Sequence, residues 1–308
     1  MRVIEATKLQ KKYASLRGPG VTAVDDLDLV VDGPGVHGFL GPNGSGKTTT
    51  IRCLLGLVRP SSGTVKVLGS DVGQLHTVVD RVGALVETPK FFPTFSGRKN
   101  LMMLGQLSGI SSSRVDEVLE TVGLENRGRD TFKSYSLGMK QRLAVGATLL
   151  KDPDLVILDE PANGLDPAGI VDMRRLIRRL ADEGKTVFVS SHQLAEVQLT
   201  CDVLTIISRG HVIQTGSVAD VLASVTDQRV RVVIDDADGA QGVLAAAGFV
   251  ASVTGPASLD VVIAASEAAS VTQVLAQTGR YLRALEPMQG TLEQAFLELT
   301  EGDEGAGS

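Results

Sequence analysis

The stretch Gly41-Pro42-Asn43-Gly44-Ser45-Gly46-Lys47-Thr48 limits what this chain can fold into more than any other. It fits G-x-x-x-x-G-K-[ST] in full, with Thr49 directly after it. The surrounding run "GVHGFLGPNGSGKTTTIRCLLGL" reads strand, glycine loop, helix, and this order predicts an α/β fold. The glycines let successive backbone N–H groups turn inward around phosphate oxygens. Lys47 is placed to reach β- and γ-phosphates, and the Thr48 hydroxyl to ligate Mg²⁺.

A second segment supplies what a phosphate loop alone lacks. "LVILDE" (Leu155 to Glu160) is an apolar run closed by two acids, the pattern of a buried parallel strand. Acids at the end of such a strand point into the crevice where ligands bind. Asp159 suits Mg²⁺ held through water, and Glu160 suits a general base for an attacking water. His192 follows the β-run "TVFVSS" and precedes "QLAEV". A histidine there fits a bond to a backbone carbonyl as well as a contact to the γ-phosphate or its water. Residues alone leave these two readings even. "YSLGMKQR" opens a predicted helix at Ser136-Leu137-Gly138. Its free N–H groups suit an anion, in a chain that already has a better phosphate site.

Composition narrows the classes further. A net charge of −6 over 308 residues disfavours broad binding to nucleic acid or to anionic lipid. No apolar run approaches the ~18 residues that suggest a membrane span, and "MRVIEATKLQKKY" has no apolar signal segment. A cytoplasmic setting is expected. Cys53 and Cys201 lie in apolar stretches without metal-ligand spacing and read as core residues in a reducing compartment. Arg174, Arg175, Arg178 and Arg179 read as a solvated helix face.

The chain is expected to fall into parts. Arg2 to Glu5 and Val24 to Val31 read as antiparallel strands, and "GTVKVLG" as another short strand. Helical signals dominate from about 90 to 150. A linker is expected at 223–228. Over 229–300, strand–helix–strand–strand–helix–strand gives the split βαβ pattern, closed by an amphipathic helix "TLEQAFLELT". A disordered tail is expected at 301–308.

Taken in order, these motifs resemble the ATP-binding subunit of an ABC transporter, over residues 1–222. "GPNGSGKTT" is similar to that family's phosphate loop and "YSLGMKQR" to its signature motif. "LVILDEP" is similar to its magnesium and base motif, "NGLDP" to its dimer-contact loop and "SSH" to its switch histidine. The resemblance implies a RecA-like P-loop core, an antiparallel β-subdomain and an inserted helical subdomain, with a small C-terminal α/β domain added. It implies that Tyr13 stacks on adenine. It also implies that Ser136 and Gly138 of one subunit cap the γ-phosphate held by the loop of a second ABC ATPase subunit, identical or paralogous. Leu137, Met139 and Lys140 depart from the usual signature, which has a second glycine and a glutamine. Glu87, in "VGALVETPKFF", stands where the family has a glutamine beside Mg²⁺, and it is expected near the metal with ATP bound.

These features resemble a subgroup serving exporters of antibiotics, peptides, drugs and sometimes Na⁺, with the membrane subunit on a separate chain. ATP and Mg²⁺ are the implied ligands. The implied place is the cytoplasmic face of the membrane, held by the permease, with no nucleic-acid partner. A different class, a soluble ABC ATPase acting on nucleic acid or ribosomes, usually carries two cassettes or a long coiled coil. This chain has one phosphate loop and no sustained heptads. Intact Lys47, Asp159, Glu160 and His192 argue against a regulator that only binds ATP.

Overall fold

The computed structural model describes residues 1–14, 20–87, 89–106, 108–225, 229–263 and 265–288. The first elements are β1 (Arg2–Tyr13), β2 (Val21–Asp32), β3 (Gly35–Leu40), α1 (Lys47–Leu54), β4 (Ser62–Val67), β5 (Ser70–Asp71) and β6 (Val82–Leu85). Three helices follow, α2 (Gly97–Gln106), α3 (Ser112–Thr121) and α4 (Leu137–Leu149). Then come β7 (Leu155–Asp159), α5 (Pro167–Asp182), β8 (Thr186–Ser191), α6 (Leu194–Thr200), β9 (Val203–Ser208) and β10 (His211–Ser217). The last are α7 (Val218–Val225), β11 (Arg229–Val233), α8 (Ala237–Ala246), β12 (Val250–Gly255), β13 (Ser258–Val262), α9 (Ala268–Gln277) and β14 (Ala284–Pro287). The chain divides after Val218 into two compact units.

The first unit carries a six-stranded sheet in the order β10-β9-β3-β8-β7-β6, parallel except for β10. Its central strands bury almost every side chain, because helices and a second sheet cover both faces; hence their uninterrupted apolar runs. The second sheet, β2-β1-β4-β5, is antiparallel. Leu9, Leu27 and Leu29 from it share one core with Phe39, Leu54 and Phe188. Helices α2, α3 and α4 form the helical part expected at 90–150. Two N-caps are visible: Ser111 accepts the Arg114 N–H, and Ser136 accepts the Met139 N–H. β1 runs to Tyr13 rather than stopping at Glu5, because register shifts against β2 let the strand continue past irregular points.

Register decides what meets at the sheet's C-terminal edge. Leu40 pairs with Ser191, and Asp159 with Ser190. The phosphate loop, the two acids and His192 therefore leave three adjacent strands side by side.

The second unit has the order β12-β13-β11-β14 with every pair antiparallel, the split βαβ arrangement. Val230, Val232, Leu259 and Val261 pack against Leu244 of α8 and Leu275 of α9. Residues 223–225 of the expected linker form the end of α7, which runs through Val225. Residues 226–228, the helix expected over "TLEQAFLELT" and the tail at 301–308 lie outside the described residues. No helix among the described residues is long and apolar enough to cross a membrane.

Both cysteines are buried and free, and burial raises both thiol pKa values, that of Cys201 to about 12. His37 in β3 is buried as a neutral ring against Phe188, with Nε2 2.9 Å from Thr205 Oγ1. Burial lowers its pKa to about 4, against an opposing pull from Asp32. The unfolded chain, with a histidine near 6.5, takes up the proton first as pH falls. Stability is therefore lost between about pH 6.5 and 4 and is unaffected above that window. Going from pH 7.5 to 5 should cost about 2 kcal/mol through this group. We expect His37→Gln to remove that component from the pH dependence of the urea midpoint; an unchanged dependence would show that His37 is not its source.

Candidate functional site

Between β3 and α1 the loop turns back on itself through Gly44 (φ 83°) and Gly46 (φ 107°), conformations that side chains resist. The Ser45 carbonyl accepts from Gly210 N at 2.9 Å, and Gly210 O in turn accepts from Asp25 N at 3.0 Å. This ties the loop to the β9–β10 turn and to β2. Helix α1 has no side-chain cap and no acid in its first turn. Its first N–H groups lack intrahelical partners and face an anion's natural place. Ser45 Oγ is buried without a hydrogen-bond partner. It lies beside Gly41, and Ser45 is not among the residues that line the cleft.

The cleft beside this loop holds about 350 Å³ and is lined by Ala23, Asn43, Lys47, Thr48, Glu160 and Asn163, among others. Lys47 Nζ donates to Gly41 O (2.7 Å) and Pro42 O (3.1 Å) and lies 3.2 Å from Glu160 Oε1. The other carboxylate oxygen of Glu160 is 2.7 Å from His192 Nδ1. Glu160 has φ 49°, a left-handed conformation unfavourable for a non-glycine residue by roughly 1–2 kcal/mol. Its N–H donates to Ser190 Oγ at 3.0 Å and its carbonyl accepts from Asn163 N at 3.1 Å. These bonds hold the strained residue and turn its carboxylate into the cleft.

Thr48 Oγ1 donates to Asp159 Oδ2 at 2.7 Å, and Ser190 Oγ bonds Asp159 Oδ1. A hydroxyl and an anionic oxygen this close are the hard donors Mg²⁺ takes. Among the described residues no group of three or more His, Cys, Asp or Glu could hold a metal.

The remaining expected residues lie elsewhere. Glu87, expected beside the metal, is 80% exposed and pairs with Arg52 Nη2 at 2.9 Å. Without nucleotide its partner is Arg52, in the last turn of α1. Tyr13 is exposed at the end of β1, with Lys11 Nζ 5.0 Å from its ring centre. It pairs with Val21, two residues before the cleft residue Ala23. Ser136 and Gly138 stand at the start of α4 and do not line the cleft. Leu137 beside them is 54% exposed, so that face of α4 is open. Ser190, which holds Asp159 and Glu160 together, carries no sign of that role in the sequence. A serine inside a β-run carries no mark until strand register is known.

The family of ABC transporters matches residues 24–163. The bacitracin transport ATP-binding protein BcrA of Enterococcus faecalis is 40% identical over 71% of this chain and 70% of its own length. The daunorubicin resistance ATP-binding protein DrrA3 of Streptomyces coeruleorubidus is 34% identical over 96% of this chain and 94% of its own. Among solved structures, cbiO1 from Clostridium perfringens, part of the ABC transporter complex cbiONQ, superposes with a TM-score of 0.64. It is 25% identical, over 72% of this chain and 91% of that one. This chain therefore belongs to the ABC transporter family as an ATP-binding subunit, and its reaction is ATP hydrolysis coupled to transport.

Proposed function

We propose that this subunit powers export of a drug, antibiotic or peptide through a separate membrane-spanning chain, working as one of a pair of cassettes at the cytoplasmic face. The names of relatives that span most of this chain, one for bacitracin transport and one for daunorubicin resistance, support this substrate class. The observation that carries the chemistry is the Glu160 carboxylate, held between Lys47 and His192 at the mouth of the phosphate-loop cleft.

In this reading the N–H groups of residues 41–49 and Lys47 Nζ bind the β- and γ-phosphates, and Lys47 exchanges its contact with Glu160 for phosphate oxygens. Thr48 and Asp159 hold Mg²⁺, which when bound neutralises charge on the β- and γ-phosphate oxygens. Glu160 then accepts a proton from the water that attacks the γ-phosphorus as the bond to the β–γ bridging oxygen breaks. His192 Nδ1 keeps the Glu160 carboxylate turned toward that water. Tyr13 supports the adenine. Ser136 and the N-terminus of α4, absent from their own chain's cleft, cap the γ-phosphate of a second subunit. The unit after Val218 serves as an accessory domain.

Two measurements test this reading. ATP turnover per subunit should rise with protein concentration until pairs saturate. Purification from membranes should bring down a chain with several spans of about 20 apolar residues. Turnover independent of concentration would overturn the paired site. Absence of any membrane chain would overturn the exporter reading.

A further inference from the structure

Helix α6 begins two residues after His192 and is poorly secured by itself. It has seven residues, no side-chain N-cap, and only Val197 and Thr200 buried. A cavity of about 30 Å³ lies between it, α5 and β8, reaching Glu160, Gln193 and Cys201. Helix α5 adds to that packing with two arginines four residues apart. Arg174 Nη2 donates to both carboxylate oxygens of Glu196, at 3.1 and 3.0 Å. Arg178 Nη1 donates to Thr200 O at 3.2 Å and to Asp202 Oδ1 at 2.8 Å. Arg179 stays exposed, as expected, and donates to Thr121 O at 3.1 Å. Arg175 is 77% exposed, 4.0 Å from Asp172.

The other end of α5 leads back to the site. Asp166 caps it by accepting the Gly169 N–H, and the turn from Glu160 to Asp166 enters it directly. One helix thus borders both sides of the Glu160–His192 contact: its entry turn starts at Glu160, and its arginines grip the helix that follows His192.

We propose that Arg174 and Glu196 are positioning residues, a clamp that sets His192 against Glu160 and so sets the rate of hydrolysis without touching ATP. The inference rests on reading Glu160 and His192 as groups of the reacting site. Both clamp residues are about one-quarter exposed or less, which limits screening of the pair by water. Small displacements of a catalytic group lower turnover steeply, so loss of the clamp should be read in kcat rather than in ATP affinity.

The test uses the full chain with its partners and counts turnover per bound ATP, below the thermal unfolding midpoint of each variant. Arg174→Ala and Glu196→Ala should each lower kcat about tenfold and leave the KM for ATP within about twofold. The charge-reversed pair Arg174→Glu with Glu196→Arg should recover most of that loss. In a His192→Ala background, Arg174→Ala should cost less than about twofold further, since its route of action is gone. An equal loss from Arg174→Ala in both backgrounds would overturn the clamp and leave a merely structural pair. Full turnover in Arg174→Ala, with turnover lost in His192→Ala, would overturn the clamp alone. Full turnover in His192→Ala would overturn both the clamp and the role of His192.

Discussion

Glu160→Gln leaves ATP bound and slows its hydrolysis by about 10²–10⁴-fold, the range for loss of a general base. Glutamine keeps the volume and can keep the contact to His192 Nδ1, so the strained backbone at φ 49° and its bonds to Ser190 and Asn163 persist. What disappears is the charge. An amide cannot take a proton from water, and it no longer attracts Lys47, whose Nζ lies 3.2 Å from Glu160 Oε1. The carboxylate competes with phosphate for that ammonium, so its removal should hold or tighten the affinity for ATP. With hydrolysis blocked, ATP-bound pairs should accumulate. The check is phosphate release together with nucleotide Kd and the mass of the assembly in solution. Turnover within about tenfold of the unsubstituted protein would remove Glu160 from the role of base.

The parts of this site legible in the sequence are those set by short-range geometry. The phosphate loop is eight consecutive residues between a strand and a helix, and Asp159-Glu160 closes an apolar run; neither needs knowledge of the fold. The split βαβ order of the second unit was equally open, because strand and helix periodicities alternate along the chain. Ser190 was hidden because its function is a matter of register: only the β7–β8 pairing sets its hydroxyl between Asp159 and the Glu160 N–H. Arg174 and Arg178 were misread for a related reason. Four arginines at helical spacing look solvated until α6 is seen lying against them. The Glu87–Arg52 pair was not legible either, since the two residues lie 35 apart in sequence and meet only in the fold. The last turn of α7 fell inside the expected linker, although helix continues through Val225.

Gly46→Ala should lower ATP affinity by about 10²-fold or more, whereas Gly44→Ala should lower it by about 5–30-fold, and the contrast tests the loop's geometry. Both glycines have positive φ, and an L-residue held left-handed costs roughly 1–2 kcal/mol, which is the source of the smaller figure. Their surroundings differ. A Cβ on Gly44 meets nothing within 4 Å, so strain is its whole penalty. A Cβ on Gly46 overlaps the Ala23 carbonyl oxygen, which is backbone and cannot rotate away. Relief requires the loop to part from β2 or α1 to shift. Gly46 is also the N-cap of α1, and its carbonyl accepts the Thr50 N–H at 2.8 Å. A shift there moves the free N–H groups and Lys47 together, the donors that face phosphate. Nucleotide Kd should be measured for both variants, with the thermal midpoint as a control for folding. An affinity for Gly46→Ala no weaker than that for Gly44→Ala would mean that contact between the loop and β2 does not shape the phosphate cradle.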